Sequence, residues 1–329
     1  MKVLIVGAGA VGAYIGARMN RIGLDVTLVA RGAQLSAIRE RGVEVQSAAG
    51  NFQARPKICG SLEEVGPADV VFLGVKAHSL PPLAPRLKAV LGRDTTVVST
   101  QNGVPWWFFE NFGGNWNGLR LERVDPGGVI AAAIEARRVV GSIVYFSTEV
   151  IAPGVIRHIE GNRISLGEPD GTRSERIRQI ADALVASGLR APVTAHIRNE
   201  IWVKLLGNLA FNPLSALTGA TLGQMVRDPD VSNLAREIMR EAQAVATRLG
   251  LDLPVSIEQR MEGARKVGEH KTSMLQDLEA HRPLELEAVV GAIVELGFEL
   301  GVPMPHTQTI YSATKLLAEC RNPSPRARN

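Results

Sequence analysis

Three polar side chains recur at helical spacing in an otherwise apolar stretch, and their chemistry suits proton transfer to a small anion. Lys204, Asn208 and Asn212 lie at positions i, i+4 and i+8 of the segment NEIWVKLLGNLAFNP, residues 199–213. In an α-helix this spacing puts the three on one face. An ammonium can donate a proton and two amides can orient an oxygen-rich ligand, so the stripe predicts one wall of a site. The alternative is a solvated edge, with Glu200 and Lys204 as an ordinary i,i+4 ion pair.

A glycine-rich turn near the first residue suggests a second site, one for phosphate groups. The turn GAGAVG follows an apolar run at residues 2–6 and precedes a helical pattern at residues 13–21. Between a strand and a helix, this G-x-G-x-x-G spacing is typical of dinucleotide binding. Gly7 permits the tight turn, Gly9 lets the backbone approach a pyrophosphate, and Gly12 lets the helix and the strand pack closely. We therefore predict that the cofactor phosphates bind at the start of the helix, at Gly7, Gly9, Ala10, Val11 and Gly12.

The residue after the next predicted strand, residues 25–30, indicates which dinucleotide binds. Arg31 follows the glycines by about 20 residues, where an NAD-binding chain would carry an acidic side chain for the ribose. A guanidinium instead pairs well with a phosphate, through two parallel hydrogen bonds. The residue type therefore predicts NADPH as the cofactor. The alternative is a surface arginine that begins a helix.

Two further predicted strands end in polar residues that could reach such a cofactor. The run ADVVFLGVK, residues 68–76, ends at Lys76, and the strand at residues 95–100 is followed by Gln101, Asn102 and Gly103. Doubly wound sheets bind their ligands at the carboxyl ends of parallel strands. We therefore assign Lys76 and Asn102 to the cofactor site, although an asparagine before a glycine is also typical of a turn.

The order of the predicted elements indicates two domains. Residues 1–195 alternate strands with helices, which is typical of a Rossmann-type, doubly wound α/β domain, and residues 196–329 are predicted to be helical, with residues 322–329 as a disordered tail. The polar stripe lies at their junction, where ligand clefts are common. In the first domain we also predict helices at residues 81–91 and 173–187, and strands at residues 129–134, 142–151, 155–159, 163–166 and 191–195. In the second we predict helices at residues 228–249, 256–267, 284–301 and 303–317.

The segment 104–126 is unusually long for a loop inside a compact domain. It contains the run Trp106 to Phe109 and three of the four tryptophans of the chain. Loops of this length are usually functional or mobile, so a lid over a site or a surface for a partner is one interpretation. Packing of the aromatic side chains in the core is the other.

The overall composition narrows the class of protein. The net charge is +4, and Arg321, Arg326 and Arg328 contribute three of those charges, so the rest of the chain offers no clustered basic face for nucleic acid. Cys59 and Cys320 match no disulfide or metal-binding spacing, which suits a reducing, cytoplasmic location. No uncharged apolar run is long enough to span a membrane. The pattern therefore predicts a globular protein that binds small anions and holds no metal.

Taken together, these motifs resemble the ketopantoate reductase (2-dehydropantoate 2-reductase) family, which contains NADPH-dependent 2-oxoacid reductases. The resemblance covers nearly the whole chain and rests on GAGAVG, Arg31, the VK pair at residues 75–76, QNG at residues 101–103, IWVKLLGNLAFNPLSALT at residues 201–218, SMLQD at residues 273–277 and Glu285. It implies that Lys204 donates the proton to the developing alkoxide and that Glu285 contacts both that lysine and the cofactor. It further implies a homodimer, and a substrate bound by Asn102, Lys204, Asn208, Asn212 and Ser273.

Two positions depart from the family's pattern and bear on the substrate. Members that make pantoate typically carry asparagine where this chain has Leu222, and their glutamate motif often leads to an asparagine where this chain has Val290. Ketopantoate is the substrate that the resemblance implies, and the departures leave open a different, more apolar 2-oxoacid. A non-catalytic NADP(H)-binding sensor is the remaining alternative, but such a protein would not need Lys204 beside two amides.

Overall fold

The computed structural model describes residues 1–321, and contacts within the chain group them into two units. Unit 1 comprises residues 1–101, 105–120 and 127–197, and unit 2 comprises residues 102–104, residues 121–126 and the chain from residue 198 onward. The predicted domains were continuous, whereas two short segments of the first half belong to unit 2. The predicted disordered tail, residues 322–329, lies outside the described residues.

Within the described residues, unit 1 contains one nine-stranded sheet in the order β4-β3-β9-β8-β7-β6-β1-β2-β5. Neighbouring strands are parallel except for the pairs β3–β4 and β8–β9. This mainly parallel sheet, with a helical second unit, confirms the predicted α/β fold class. The strands are β1 Lys2–Val6, β2 Asp25–Val29, β3 Val43–Ser47, β4 Phe52–Ala54, β5 Lys57–Cys59, β6 Ala68–Leu73, β7 Leu91–Ser99, β8 Val139–Ala152 and β9 Val155–Gly167.

The helices of unit 1 begin with the one that follows the glycine turn. Helix α1 starts at Ala10, three residues before the predicted start, because the turn itself opens the helix. Its Gly16 lies so close to the sheet that an added side-chain carbon would be 2.5 Å from Leu28. Small residues thus let α1 pack tightly on β1 and β2. The α-helices are α1 Ala10–Arg21, α2 Gly32–Arg41, α3 Leu80–Leu83, α4 Val129–Ala133 and α5 Glu175–Ala186, with 3-10 turns at Ala77–Ser79, Ala84–Ala89, Gly114–Trp116, Pro126–Gly128 and Ala136–Arg138.

Several predicted elements of unit 1 were wrong. The run at residues 129–134 is helix α4 rather than a strand, because three alanines favour a helix and two glycines with positive φ lead into it. The predicted strand at residues 191–195 is reduced to isolated bridges of Arg190 and Val193 with β9, since Pro192 has no N–H to donate to a ladder. The prolines at residues 81–85 likewise break the predicted helix into short turns. Strand β6 ends at Leu73, so Lys76 lies past it.

The aromatic run of the long loop is part of the core. Trp106, Trp107, Phe108 and Phe109 are all buried. The Trp107 Nε1 donates a hydrogen bond to Ser99 Oγ at 2.9 Å, and the ring packs where Gly141 has no side chain. The interpretation of this run as a lid or a partner surface was therefore wrong, and the alternative of core packing is confirmed.

All the regular secondary structure in the described residues of unit 2 is helical. Helix α8 begins at an Asp228 cap whose side chain accepts from Asp230 and Val231 N–H groups, and its apolar face is buried. Helices α7 and α9 each begin with a capping box, on Thr221 and Ser256. The helices are α6 Ile197–Thr218, which starts in the last residue of unit 1, α7 Leu222–Arg227, α8 Pro229–Arg248, α9 Ile257–Val267, α10 Ser273–Glu279, α11 Ala292–Glu299 and α12 Pro305–Arg321.

The predicted helix at residues 284–301 is not uniform. A π-helix at Glu287–Gly291 precedes α11, and Glu285 lies just before the helical residues. Such wide turns are frequent at functional sites. Among residues 1–321, no helix is both long enough and apolar enough to cross a membrane.

Candidate active site

Three side chains of unit 2 form a hydrogen-bonded chain centred on an amide. The Lys204 Nζ donates to Asn102 Oδ1 at 2.9 Å, and the Asn102 Nδ2 donates to Glu285 Oε2 at 3.2 Å. The amide therefore accepts from a cation and donates to an anion, which uses both of its ends. The Lys204 ammonium is bonded to this amide rather than paired with Glu200.

A glycine next to Asn102 makes this arrangement sterically possible. Gly103 has a φ of +85°, and a side-chain carbon there would lie 2.2 Å from the carbonyl oxygen of Ala288. The following Val104 N–H donates to the same oxygen at 2.9 Å. The chain after Asn102 is thus held against the turn that follows Glu285, where no side chain fits. This contact brings together two residues that are far apart in the sequence.

Helix α6 is held in place by its apolar sides. Trp202 is fully buried, and its Nε1 donates to the carbonyl oxygen of Ala242 in α8 at 3.1 Å. Leu205, Leu206 and Leu209 are buried as well. Because the apolar sides are fixed by packing, the stripe with Lys204 can present its polar groups in one direction.

The surroundings of Lys204 set its proton affinity. Burial lowers the pKa of Lys204 from 10.5 to about 8; the Arg260 charge also lowers it, whereas Glu285 raises it. A pKa near the working pH suits a general acid, because the group is protonated yet gives up its proton readily. Glu285 keeps the ammonium form populated near neutral pH.

The predicted substrate residues lie in the same unit. Asn208 is half-buried and Asn212 is buried on α6, and neither side-chain amide forms a hydrogen bond within the described chain. Ser273 is exposed as the first residue of α10. Leu222 is half-buried at the start of α7, and its N–H donates to the His270 carbonyl oxygen at 3.0 Å. The start of α7 is therefore tied to the segment that leads into α10.

The glycine turn of unit 1 shows what each glycine does. A side-chain carbon at Gly7 would lie 2.7 Å from Val75 Cγ1, and one at Gly12 would lie 2.1 Å from the Gly7 carbonyl oxygen. At Gly9 the nearest atom would be the Gly74 oxygen, 4.0 Å away, and Gly9 is exposed. Two glycines thus fit close packing within the protein, and the third leaves open space beside the first N–H groups of α1. This cradle fits a pyrophosphate.

The residues around the turn belong to the ends of neighbouring strands. The N–H groups of Gly7 and Ala8 both donate to the Val29 carbonyl oxygen at 3.1 Å, and the Gln34 Nε2 donates to the Ala8 carbonyl oxygen at 2.8 Å. Arg31 is exposed at the N-cap of α2, between Val29 and Gln34 in the chain. These bonds hold the end of β2 and the first turn of α2 against the glycine turn, and Arg31 lies in the chain between the two residues that form them.

Lys76 lies on the other side of the turn in strand order. It is half-buried and caps the 3-10 turn after β6. The Gln101 Nε2 donates to the carbonyl oxygens of Leu73 and Val75 at 2.7 and 3.0 Å, which ties the ends of β6 and β7 together. Among residues 1–321, no cluster of three or more His, Cys, Asp or Glu side chains could hold a metal ion.

The sequence prediction missed one charged residue near Lys204. Arg260 of α9 is half-buried and acts on the Lys204 charge. A signal was available, because Arg260 lies one turn before Ala264, on the inward face of an amphipathic helix. A long cation at such a position usually has a specific counterpart.

Comparison with known proteins identifies the family. A family model described as ketopantoate reductase PanE/ApbA matches residues 3–106, and its C-terminal counterpart matches residues 196–318. The chain is 49% identical over 319 residues to a 2-dehydropantoate 2-reductase of Mesorhizobium japonicum, covering 97% of this chain and 98% of that one. It is 32% identical to the 2-dehydropantoate 2-reductase of Archaeoglobus fulgidus, covering 95% and 97%. A crystal structure from Ralstonia solanacearum MolK2, provisionally named a ketopantoate reductase, superposes with a TM-score of 0.92 at 40% identity, covering 97% and 98%. The chain therefore belongs to the ketopantoate reductase family.

Proposed function

We propose that this protein reduces 2-dehydropantoate (ketopantoate) to pantoate with NADPH. The observation that carries the proposal is the chain of hydrogen bonds from Lys204 through Asn102 to Glu285, with the pKa of Lys204 lowered to about 8. A lysine in this state is a competent general acid, and a purely structural lysine would not need it. The name of the 49%-identical relative supports ketopantoate as the substrate.

The roles of the chain's own residues follow from their chemistry. The Lys204 Nζ donates a proton to the carbonyl oxygen of the oxoacid as that oxygen gains negative charge. Asn102 holds the ammonium in a fixed direction, and Glu285 stabilises its charged form. Asn208, Asn212 and Ser273 supply side-chain groups for orienting the substrate. When bound, NADPH would supply the hydride.

The cofactor preference rests on Arg31. The exposed guanidinium stands where an NAD-binding chain would have an acid, and the open cradle at Gly9 offers main-chain N–H groups to the pyrophosphate. Lys76 adds a second positive charge past the end of β6. We therefore propose NADPH rather than NADH as the reductant.

The decisive experiment is NADPH consumption by the purified protein with a panel of 2-oxoacids. We expect ketopantoate to give the highest kcat/KM, with product confirmed by mass spectrometry. If another oxoacid had a kcat/KM at least tenfold higher than that of ketopantoate, a difference of about 1.4 kcal/mol, that oxoacid would be the substrate. NADPH binding without turnover of any oxoacid would favour a sensor.

The panel also tests the role of Leu222. This leucine offers no hydrogen bond to a substrate hydroxyl, and an unmatched buried hydroxyl costs about 1–3 kcal/mol. If Leu222 lines the pocket, Leu222→Asn should raise kcat/KM for ketopantoate but not for its analogue without the 4-hydroxyl. The same ratio in both proteins would show that another group binds the hydroxyl.

We further propose that the protein acts as a cytoplasmic homodimer, as the family resemblance implies. Cys59 and Cys320 are both free thiols, which is consistent with a reducing compartment. Light scattering coupled to gel filtration would measure the mass, and a monomer at enzyme-assay concentration would contradict the dimer.

A further inference from the structure

Arg260 reaches across from α9 to the helix that carries Lys204. The contact point is Gly207 of α6, where an added side-chain carbon would lie 2.3 Å from Arg260 Nη2 and 3.3 Å from its Cζ. Both residues belong to unit 2. A glycine inside a helix makes that helix less stable than an alanine would, so the presence of Gly207 calls for a reason. Here the reason is space for a guanidinium.

The position of Gly207 puts that guanidinium beside the predicted substrate groups. Gly207 is three residues after Lys204 and one residue before Asn208, so it lies within one helical turn of both. Arg260 is also close enough for its charge to act on Lys204. Two cations held near each other repel, and the repulsion is relieved when an anion binds to them.

The chemistry of a 2-oxoacid matches a pair of cations. Its carboxylate is bonded directly to the carbonyl carbon, so the group that binds the carboxylate must lie next to the group that protonates the carbonyl oxygen. The planar fork of an arginine can bind both carboxylate oxygens at once, which a lysine cannot do. Lys204 is the proton donor in this pair, which leaves the carboxylate to Arg260.

We infer that Arg260 binds the carboxylate of the oxoacid substrate, and that Gly207 is the opening in α6 that admits its guanidinium. This inference rests on the proposed function, which it deepens by naming a residue for the charged end of the substrate. It also predicts that the site selects 2-oxoacids over neutral ketones. Arg260 is then a binding residue, and its loss should act on KM more than on kcat.

The first test compares Arg260→Gln with the native protein on two substrates. With ketopantoate, KM should rise by roughly tenfold to a hundredfold, the range for loss of a charged hydrogen-bonded pair. With the neutral lactone of ketopantoate, KM should stay within about twofold, a change below the uncertainty of additive effects. Arg265→Gln is the matched control, because Arg265 is on the same helix but is exposed and paired with Glu262. Arg260→Lys should fall between the native protein and Arg260→Gln.

The second test uses Gly207→Ala, which leaves every charged group in place. The added methyl must displace the guanidinium, so KM for ketopantoate should rise while the lactone is again little affected. In the Arg260→Gln background the shorter side chain leaves that space empty, so Gly207→Ala should then have little further effect. If the two substitutions raised KM independently, so that their fold-changes multiplied in the double variant, they would not act through the same guanidinium.

The outcomes separate this inference from the proposed function. If the native protein reduces ketopantoate and Arg260→Gln leaves the KM for ketopantoate unchanged, the inference alone is overturned. An equal rise in KM for ketopantoate and for the lactone would also overturn the inference alone. A native protein that neither reduces any 2-oxoacid nor binds oxamate, a non-reactive 2-oxoacid mimic, overturns both. If Arg260→Gln fails to fold, the Arg260→Lys and Gly207→Ala comparisons decide the same question.

Discussion

The glycine turn of unit 1 and the Lys204 site of unit 2 are built in opposite ways. The turn is six consecutive residues, GAGAVG, and the groups that we propose bind the cofactor are its main-chain N–H groups, which close packing holds in place. The Lys204 site joins side chains from residues 102, 204 and 285, each positioned by a different element. A main-chain site is therefore encoded by residues that are consecutive in the sequence, whereas a side-chain site forms only when the helices pack together.

Removal of one side chain should abolish chemistry at the side-chain site while the main-chain site survives. In Lys204→Ala the proton donor is lost, so kcat should fall by about 10²–10⁴-fold. NADPH affinity, measured by fluorescence titration, should remain close to native. Lys266→Ala, an exposed change on α9, is the control. Turnover within about threefold of native, less than 1 kcal/mol, would instead indicate a solvated lysine.

The main-chain site should be sensitive to an added methyl group rather than to the removal of a side chain. A methyl at Gly12 would lie 2.1 Å from the Gly7 carbonyl oxygen, so Gly12→Ala should lower the free energy of unfolding by about 1–3 kcal/mol and weaken NADPH binding. Gly9→Ala meets no protein atom closer than 4.0 Å. It should leave Tm unchanged yet weaken NADPH binding by tenfold or more, about 1.4 kcal/mol. Native affinity in Gly9→Ala would show that no ligand approaches there.

The third prediction concerns Arg31, the side chain that we propose acts together with the main-chain site. Arg31→Ala should weaken NADPH binding by about 1.5–3 kcal/mol, or tenfold to a hundredfold, because a charged hydrogen-bonded pair is lost. NADH has no phosphate on its ribose, so its affinity should barely change. Isothermal titration of both cofactors measures this, and equal affinity of the native protein for the two would overturn the assignment.

The pH profile should separate the two charges that act on Lys204. The protonated form is the acid, so kcat/KM should be constant below the pKa of about 8 and fall as the pH rises through it. Glu285 raises this pKa, so Glu285→Gln should move the break to lower pH by roughly one unit. Arg260→Gln should move it to higher pH. A break that stays in place in both variants would mean that another group controls the rate.

Long periodic patterns were the most predictable part of the fold. The run at residues 228–249 was predicted as one helix and is α8, because its apolar residues recur at helical spacing and Asp228 caps it. Short apolar runs were ambiguous, and residues 129–134 were wrong because isolated periodicity does not separate a strand from a helix. Strands β3, β4 and β5 were not predicted: β4 and β5 have only three residues each, and β3 has only two apolar residues, Val43 and Val45, to show alternation.

The residues of the candidate site also differ in how well the sequence predicts them. Lys204, Asn208 and Asn212 could be placed on one face from their spacing alone, because they share a helix. Their association with Asn102 and Glu285 required the family resemblance, since those residues are brought in by the approach of Gly103 to Ala288. Arg260 was missed because the residue that it contacts is Gly207, which makes room for the guanidinium by having no side chain.

Gly103 has a consequence for how tolerance to substitution should be interpreted in this protein. It bears no reactive group, yet its φ of +85° and its approach to Ala288 leave no room for any other residue. A survey of all single substitutions should therefore score position 103 as severely as Lys204, while many chemically richer positions on the surface score as neutral. Loss of activity on substitution of Gly103, which has no reactive group, would then show that the backbone conformation at this residue sets the direction of the Asn102 amide.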